Sequence, residues 1–382
     1  MSFFQKLLLF HIPLAILFAS AVFIAVYSGE AMPPRMVYES QVQYPGTVYA
    51  TTHRYQDFAY KYYAFERLKP EVLFLGASRL ATFRTGFLNL DPSAAYNACL
   101  PTFVLSQLET FIDQMTPENA PKVIIFQVDQ FWFNQSWMPL FKTIRPTQLI
   151  EVEADHITGV TRQLIGMLLN KEITINRLLQ RTNPISGNAV LGINAMQQGN
   201  GFAADGAWQI ISKKYTPEEQ AAALDSALSD LRSGFMHFIP GDTVNELAIT
   251  QMERILDKAG ALDIEVIGYA PGFMPTVYQE MIAGGQHTYL DKAMPRVAEL
   301  FEERGFYFFD FTDMTSDTAD HEFLDGNHPY EIASLRMYMK MVEGAPEVLG
   351  PYSDLEGLQA MIDNAPNPGE VVPREYRNPP AP

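Results

Sequence analysis

The sequence predicts an α/β fold with a parallel five-stranded sheet, preceded by an N-terminal transmembrane helix and interrupted by a large insertion after the third strand. Five short apolar runs are nearly continuous rather than alternating, which is typical of strands buried on both faces: 71–78, 94–99, 122–130, 264–271 and 306–312. Helical patterns precede the last three of them: 103–115, 245–259 and 290–304. This repetition of strand, helix and strand implies parallel pairing through right-handed crossovers.

Composition limits the class of protein. The 382 residues are 47% hydrophobic and 12% aromatic, enough for one large domain or two ordinary ones. Asp and Glu number 44 against 27 Lys and Arg, a net charge of −17, so nucleic acid is not an expected partner. Cys99 is the only cysteine, which excludes an intrachain disulfide and a cysteine-based zinc cage. No cofactor is expected.

The N-terminal segment predicts a membrane anchor over residues 1–29. No charged residue occurs between Lys6 and Glu30, and Leu7–Tyr27 is apolar apart from His11 and Ser20. As a helix this stretch spans roughly 31 Å, close to the ~30 Å hydrocarbon core of a bilayer. A cleaved signal peptide is the alternative, but its apolar region is typically only about 7–15 residues long. The single preceding cation favours a cytoplasmic N-terminus and an exported body, periplasmic or extracellular.

The rest of the chain divides by composition. Proline and glycine in 30–54 predict a stalk, and the distance between the third and fourth strands predicts an insertion over about 131–212. That insertion contains a predicted helix, 156–179, and a Gly-rich run expected to be a loop, 192–208. We expect the main domain over 55–350, beginning with an aromatic-rich helix at 55–68, and a disordered Pro-rich tail over 364–382.

Ser78 directly follows the first strand of the predicted sheet. In open α/β sheets, ligands bind at the carboxyl ends of the strands. A serine at this point shares a crevice with the free backbone N–H groups of a helix start, which suits a nucleophile and its oxyanion donors. The alternative is an ordinary helix-capping serine.

Asp325 and His328 lie three residues apart in a loop before the last predicted helix. A histidine is needed to take the serine proton, and a carboxylate is needed to orient that histidine. These two residues can supply both, although Asp-Gly-Asn-His-Pro is also a typical turn sequence. A third interpretation is a metal site. Its ligands would be His321, Asp325 and His328, with Asp313 or Asp317 as a further oxygen donor.

These motifs resemble the SGNH/GDSL hydrolase superfamily: Gly76-Ala77-Ser78 after the first strand, Asn97 in YNACLP after the second, and Asp325-x-x-His328 before the final helix. In particular, the chain is similar to the membrane-anchored, exported branch, with proteins of alginate O-acetylation and teichoic acid D-alanylation. The resemblance covers about 70–345. It implies a flavodoxin-like parallel sheet, with Ser78 as nucleophile, His328 as general base and Asp325 as orienting acid.

The chain departs from the family pattern at two blocks. Ala77 replaces the Asp of Gly-Asp-Ser, and QVDQFWFN (127–134) replaces the expected Gly-Asn-x-x-Asp block. The oxyanion donors are therefore open among the Ser78 backbone N–H, the Asn97 side chain and, less favoured, Asn134.

Other charged residues have two interpretations each. Arg79 either binds a substrate carboxylate or pairs with a surface acid, and Asp129 either lines the substrate cleft or has a structural role. An acidic domain would repel an anionic glycan unless a local basic patch offset the charge, with these candidates: Arg79, Arg84, Lys142 and Arg145.

Two functions follow as expectations. The first is a membrane-tethered serine acyltransferase or esterase acting on O-acyl groups, with acetyl expected, of a cell-surface polysaccharide. It implies a multi-span membrane-bound O-acyltransferase as a partner. The second is a noncatalytic module that binds glycan or such an acyltransferase through the insertion. Loss of function on Ser78→Ala would separate the two.

Overall fold

The computed structural model describes residues 2–44, 46–52, 55–100, 104–137, 154–182, 189–210 and 215–373. The strands in these ranges are β1 Val48–Tyr49, β2 Val72–Gly76, β3 Ala95–Cys99, β4 Val123–Gln127, β5 Val190–Leu191, β6 Gly201–Phe202, β7 Trp208–Gln209, β8 Glu265–Ala270 and β9 Tyr307–Asp310. The helices are α1 Phe3–Tyr27, α2 Pro34–Gln43, α3 Tyr55–Leu68, α4 Leu105–Asp113, α5 Ala154–Leu169, α6 Ile175–Gln180, α7 Ile193–Gln198, α8 Pro217–Ser233, α9 Glu246–Ala261, α10 Pro275–Gly284, α11 Tyr289–Glu302, α12 Glu331–Gly344, α13 Pro346–Leu349 and α14 Leu355–Asp363.

The chain forms two compact units. The first comprises Met1–Tyr63, Thr147–Ala204 and Gln209–Ser212, and the second comprises Ala64–Pro146, Asp205–Trp208 and Lys213–Pro382. Most of the range predicted as an insertion, 131–212, therefore belongs to the first unit, together with the N-terminal residues.

The second unit contains a five-stranded, all-parallel sheet in the order β3-β2-β4-β8-β9. All five predicted strands are confirmed. Every residue of β2, β3 and β4 is buried, and β8 exposes only Glu265, which explains why these segments are apolar without alternation. When the five strands of this sheet are numbered along the chain, they lie side by side in the order 2-1-3-4-5. The first of them, β2, therefore lies between the next two strands, β3 and β4. A crevice is expected at the carboxyl ends of strands around such a reversal.

The helices predicted around the sheet are also present. The pattern at 103–115 corresponds to α4, the pattern at 245–259 to α9 and the pattern at 290–304 to α11. Helices α4 and α9 pack against each other, and α11 packs against β9.

The first unit has more regular structure than its composition predicted. The predicted stalk contains α2 and β1, where Val37 and Tyr49 are fully buried, and the predicted Gly-rich loop contains α7 and β6. The predicted helix 156–179 is two helices, α5 and α6, separated by a turn in which Lys171 has φ +60°. These short elements form because neighbouring segments of the folded chain bury them. Burial of this kind leaves little hydrophobic periodicity in the sequence of each element.

The predicted disordered tail is ordered in its described part. The backbone N–H groups of Val371 and Val372 donate to the Glu331 carboxylate at 3.0 and 3.3 Å, and both valine side chains are buried. The two buried valine side chains and the buried Glu331 carboxylate thus hold residues 364–373 in place, although the Pro-rich composition predicts disorder. The remainder of the predicted tail, 374–382, lies outside the described residues.

Helix α1 is long and apolar enough to cross a membrane. Gln5–Tyr27 is a stretch of 23 residues with a mean hydropathy of 2.5. A signal sequence near the N-terminus has the same properties. In the described part of the chain, no other helix meets both the length and the hydropathy required of a span.

Candidate active site

Ser78 begins a short 3-10 turn, Ser78–Leu80, two residues beyond Gly76 at the carboxyl end of β2. The strand ends in Gly76, where a Cβ atom would lie 2.5 Å from the Gln127 Cβ, so only glycine fits there. Gln127, at the end of β4, accepts a hydrogen bond from the Ala77 N–H at 2.6 Å. This close contact between two strand ends fixes the backbone immediately before Ser78.

Asp325 and His328 occupy a rigid turn between β9 and α12. The Asp325 Oδ1 atom accepts hydrogen bonds from the backbone N–H groups of Asn327 and His328 at 3.0 and 2.9 Å. The Leu324 N–H donates to the His328 carbonyl at 2.8 Å. The segment is thus a turn, as its composition suggested, and the turn presents both side chains on one side.

The side chains of Ser78, His328 and Asp325 form a continuous hydrogen-bonded chain. Ser78 Oγ lies 2.9 Å from His328 Nε2, and His328 Nδ1 lies 2.9 and 3.0 Å from the two Asp325 oxygens. Since Nδ1–H donates to the carboxylate, Nε2 is left to accept the serine proton. Burial raises the pKa of Asp325, but the hydrogen bonds and charge of His328 and the two backbone donors outweigh it and hold that pKa below its usual range. This is the geometry expected of a His-activated serine.

The chain has no family match. No family model fits it. A search of curated proteins likewise finds no match. A role for these residues must therefore be argued from their geometry.

Arg79 is buried at the centre of this region and has no donor left for a substrate. It is 1% exposed, and its guanidinium donates hydrogen bonds to the following five acceptors: Asn327 O, Asp129 Oδ1, Gln130 Oε1, Pro271 O and Gly272 O. These acceptors follow β4, β8 and β9, so Arg79 ties three strand ends to the Ser78 turn. All five N–H groups of Arg79 are used inside the protein, so none of them faces a substrate in this structure, and the acid that Arg79 pairs with is the buried Asp129 rather than a surface residue.

Asp129 has the structural role. It is 1% exposed, and its carboxylate lies 3.3 Å from Arg79 Nη1. Burial raises the pKa of Asp129, while the positive charge of Arg79 opposes that rise. The Asp129 carboxylate is thus enclosed with its cation and does not line an open cleft in this structure.

Asn97 does not supply an oxyanion donor. Its amide Nδ2 donates to the carbonyls of Leu80 and Phe83 at 3.0 and 2.7 Å, and its Oδ1 accepts from the Cys99 N–H. The fully buried side chain thus holds the segment that follows Ser78. The less favoured donor Asn134 is also buried, and its Nδ2 donates to Ile239 O at 2.8 Å.

The Ser78 backbone N–H remains as the oxyanion candidate. Within the described residues, neither this N–H nor that of Arg79 has a hydrogen-bond acceptor. Two successive free donors beside the Ser78 hydroxyl match the need of a developing oxyanion.

The metal interpretation is wrong. In the described ranges, no three His, Cys, Asp or Glu side chains converge closely enough to hold an ion. His321 is exposed, and both ring nitrogens of His328 are engaged by Ser78 and Asp325.

The suggested basic patch does not form from its first two members. Arg79 and Arg84 are both buried, and the Arg84 guanidinium lies 3.3 Å from Asp205 and 3.8 Å from Glu331. The other two candidates, Lys142 and Arg145, lie outside the described residues.

His237 joins the site although the sequence did not indicate it. Its ring centroid lies 6.0 Å from that of His328, and its Nδ1 accepts a hydrogen bond from the Asn327 amide at 3.0 Å. Phe131 and Trp137 pack against it, with centroid distances of 4.6 and 5.9 Å. Burial lowers the pKa of His237 to about 3, and the charges of His328 and Arg79 act in the same direction. The imidazole is therefore neutral, and it forms an aromatic wall with Phe131 and Trp137.

The free energy of unfolding is expected to fall as the pH drops from about 6.5 towards 3. The unfolded chain binds a proton at His237 near its ordinary pKa of 6.5, whereas the folded chain binds it only near 3. Acid therefore favours the unfolded state, by at most about 1.4 kcal/mol per pH unit for one proton. The lowered pKa of Asp325 also makes the free energy of unfolding fall in acid, but only below the ordinary pKa of this carboxyl group, 3.8.

Urea unfolding of the full-length protein at a series of pH values, followed by tryptophan fluorescence, measures this dependence. His237→Gln should flatten it between pH 6.5 and 4, and the matched variant of an exposed histidine, His321→Gln, should not. Equal slopes in the wild type and His237→Gln would contradict the assignment.

Proposed function

We propose that this chain is an exported, membrane-tethered serine O-acyltransferase or esterase that acts on acyl groups, with acetyl expected, of a cell-surface polysaccharide. One observation carries the proposal. In the Ser78–His328–Asp325 hydrogen-bonded chain, Ser78 follows the carboxyl end of β2 in the parallel sheet, and the other two residues come from the turn between β9 and α12. The strand order 2-1-3-4-5 is that of flavodoxin-like folds, which supports the resemblance to SGNH hydrolases.

The first half-reaction forms an acyl-enzyme. Ser78 Oγ attacks the acyl carbon while His328 Nε2 takes the hydroxyl proton, and Asp325 stabilises the resulting imidazolium. The carbonyl oxygen becomes an oxyanion that accepts hydrogen bonds from the Ser78 and Arg79 backbone N–H groups. Collapse of this intermediate breaks the bond between the acyl carbon and the leaving oxygen, which receives its proton from His328.

The second half-reaction transfers the acyl group onward. His328 removes a proton from water or from a sugar hydroxyl, and the resulting oxygen attacks the acyl-enzyme carbonyl. Loss of Ser78 Oγ from the intermediate, with return of the proton from His328, regenerates the enzyme. Water gives an esterase and a sugar hydroxyl gives a transferase, because both attack the same intermediate.

The surroundings of His328 offer an apolar surface for an acyl group and an open approach for an acceptor. The His328 side chain is 23% exposed, so a polymer hydroxyl can approach it from solvent. The aromatic wall of Phe131, Trp137 and His237 offers an apolar, neutral surface beside the imidazole. The N-terminal anchor would hold this cleft near a multi-span membrane-bound O-acyltransferase that supplies acyl groups, raising their effective concentration.

A fluorophosphonate probe tests the proposal on the full-length protein. The probe should form a covalent adduct on the peptide that contains Ser78, because only a His-activated serine reacts at an appreciable rate. Labelling should disappear in Ser78→Ala and in His328→Gln. As a matched control, Ser316 is an exposed serine that donates to the Asp317 carboxylate without an imidazole, so Ser316→Ala should label normally. A folded wild type that stays unlabelled would favour the noncatalytic module.

A further inference from the structure

Helices α5 and α6 present an apolar stripe on the surface of the first unit. The stripe consists of Ile165 and Leu169 on α5, 37% and 77% exposed, and Ile175 and Leu179 on α6, 50% and 43% exposed. Each pair is spaced i, i+4, so its two side chains lie on one face of their helix. Four large apolar side chains on one pair of short helices are more than isolated surface residues, and they indicate a contact surface.

The same two helices are basic in an acidic protein. Residues 154–181, from the start of α5 to the residue after α6, contain four basic side chains, Arg162, Lys171, Arg177 and Arg181, and two acidic side chains, Asp155 and Glu172. Their net charge is +2, whereas the whole chain carries −17. Arg162 precedes Ile165 and Leu169 by three and seven residues and so lies along the same face of α5. Basic side chains beside apolar ones are typical of helices that lie in the interface of an anionic bilayer.

The two helices that carry the stripe, α5 and α6, both pack against α1, the membrane-spanning candidate, within the first unit. Arg181, just after α6, donates from Nη1 to the Tyr27 carbonyl at 3.1 Å, and its guanidinium lies 4.4 Å from the Tyr27 ring centroid. Tyr27 is the last residue of α1, and tyrosines at the ends of spanning helices are enriched at the membrane–water interface. This contact places the end of α6 at the same depth.

We propose that α5 and α6 lie on the bilayer surface beside α1, with Ile165, Leu169, Ile175 and Leu179 inserted among acyl chains and with the Arg162 and Lys171 side chains bound to anionic lipid phosphates. The chain then has two membrane contacts, a spanning helix and an interfacial helix pair. Two contacts fix the rotation of the first unit about the axis of α1, which a single helix leaves free. This inference does not depend on the proposed chemistry of Ser78.

Depth-dependent quenching tests the proposal in the full-length protein. Cysteines are introduced singly at Leu169 and Leu179 in a Cys99→Ala background, labelled with bimane, and reconstituted into nanodiscs of phosphatidylcholine and phosphatidylglycerol carrying a nitroxide near the headgroup. Leu247→Cys is the matched control, since Leu247 is an apolar residue 69% exposed on α9 of the second unit. Quenching at both test sites should exceed that at residue 247 by at least about twofold, as for insertion below the headgroups.

Two further measurements are the dependence of the quenching on charge and a lipid cross-link to the wild-type protein. Removing phosphatidylglycerol, or combining Arg162→Gln with Lys171→Gln, should reduce the quenching at position 169. In the wild type, a photoactivatable phosphatidylcholine should cross-link to the peptide that contains residues 165–179, which does not depend on the folding of any variant. Quenching no greater than at position 247, quenching at only one test site, or absence of the lipid cross-link would overturn the proposal. A protein partner would then be the expected occupant of the stripe.

Discussion

Replacing Ser78 by alanine is expected to lower turnover of a small acetyl ester by about 10³- to 10⁶-fold. The hydroxyl lies 2.9 Å from His328 Nε2, and no other described serine has an imidazole within hydrogen-bond distance. Without Oγ no acyl-enzyme forms, and the remaining backbone donors can only polarise the substrate for direct attack by water. Initial rates of ester hydrolysis by the full-length protein in detergent measure the effect.

Companion variants separate catalysis from damage to the fold. His328→Gln should cost about as much as Ser78→Ala, and the double variant should cost little more, because the two side chains act as one unit. Asp325→Asn should cost about 10⁴-fold, since an amide can leave the imidazole in the wrong tautomer. Ser316→Ala, the exposed serine beside Asp317, should leave the rate unchanged. Turnover that survives Ser78→Ala would contradict the serine mechanism and favour the binding module.

Replacing Arg79 by methionine is expected to lower the free energy of unfolding of the second unit by about 3–5 kcal/mol. The guanidinium is 1% exposed and satisfies acceptors after three strands. Methionine keeps much of the volume but leaves the Asp129 carboxylate buried without its cation. Urea unfolding followed by fluorescence detects the change, because Trp132 and Trp137 both lie in this unit and are buried.

An exposed ion pair provides the matched control for Arg79. Arg296 pairs with Glu246 at 2.6 Å, but the two side chains are 42% and 69% exposed. Arg296→Met should therefore cost less than about 1 kcal/mol. If Arg79→Met cost no more than this and instead raised only KM, Arg79 would be a substrate-binding residue after all.

Local sequence was sufficient to predict the sheet of the second unit. Four of its five strands, β2, β3, β4 and β8, are covered on both faces, so each is an almost unbroken apolar run of five or six residues, as in Val72–Gly76 and Glu265–Ala270. The convergence of Ser78 with the Asp325–His328 turn was also predictable, because the carboxyl ends of parallel strands meet at one edge of a sheet. The roles of these three side chains in catalysis remain predictions.

Elements that are stabilised by contacts with distant segments of the chain were not predictable in this way. The segment 30–54 resembles a stalk in composition, yet α2 and β1 form there because Val37 and Tyr49 are buried by other segments. His237 lies 91 residues before His328 in the chain, and no motif connects the two. The hydrogen bond from Asn327 and the contacts with Phe131 and Trp137 bring it beside the site.

The sequence by itself determined which polar residues stand at the strand ends, whereas the tertiary structure decided which of them face solvent. Arg79 and Asn97 both looked available for a substrate. Folding instead surrounds Arg79 with the carbonyls of Pro271, Gly272 and Asn327, and it turns the Asn97 amide towards Leu80 and Phe83. The physical reason is that buried carbonyls and carboxylates must find donors. Those acceptors come from segments up to 248 residues away, so their positions are defined only once the strands are aligned.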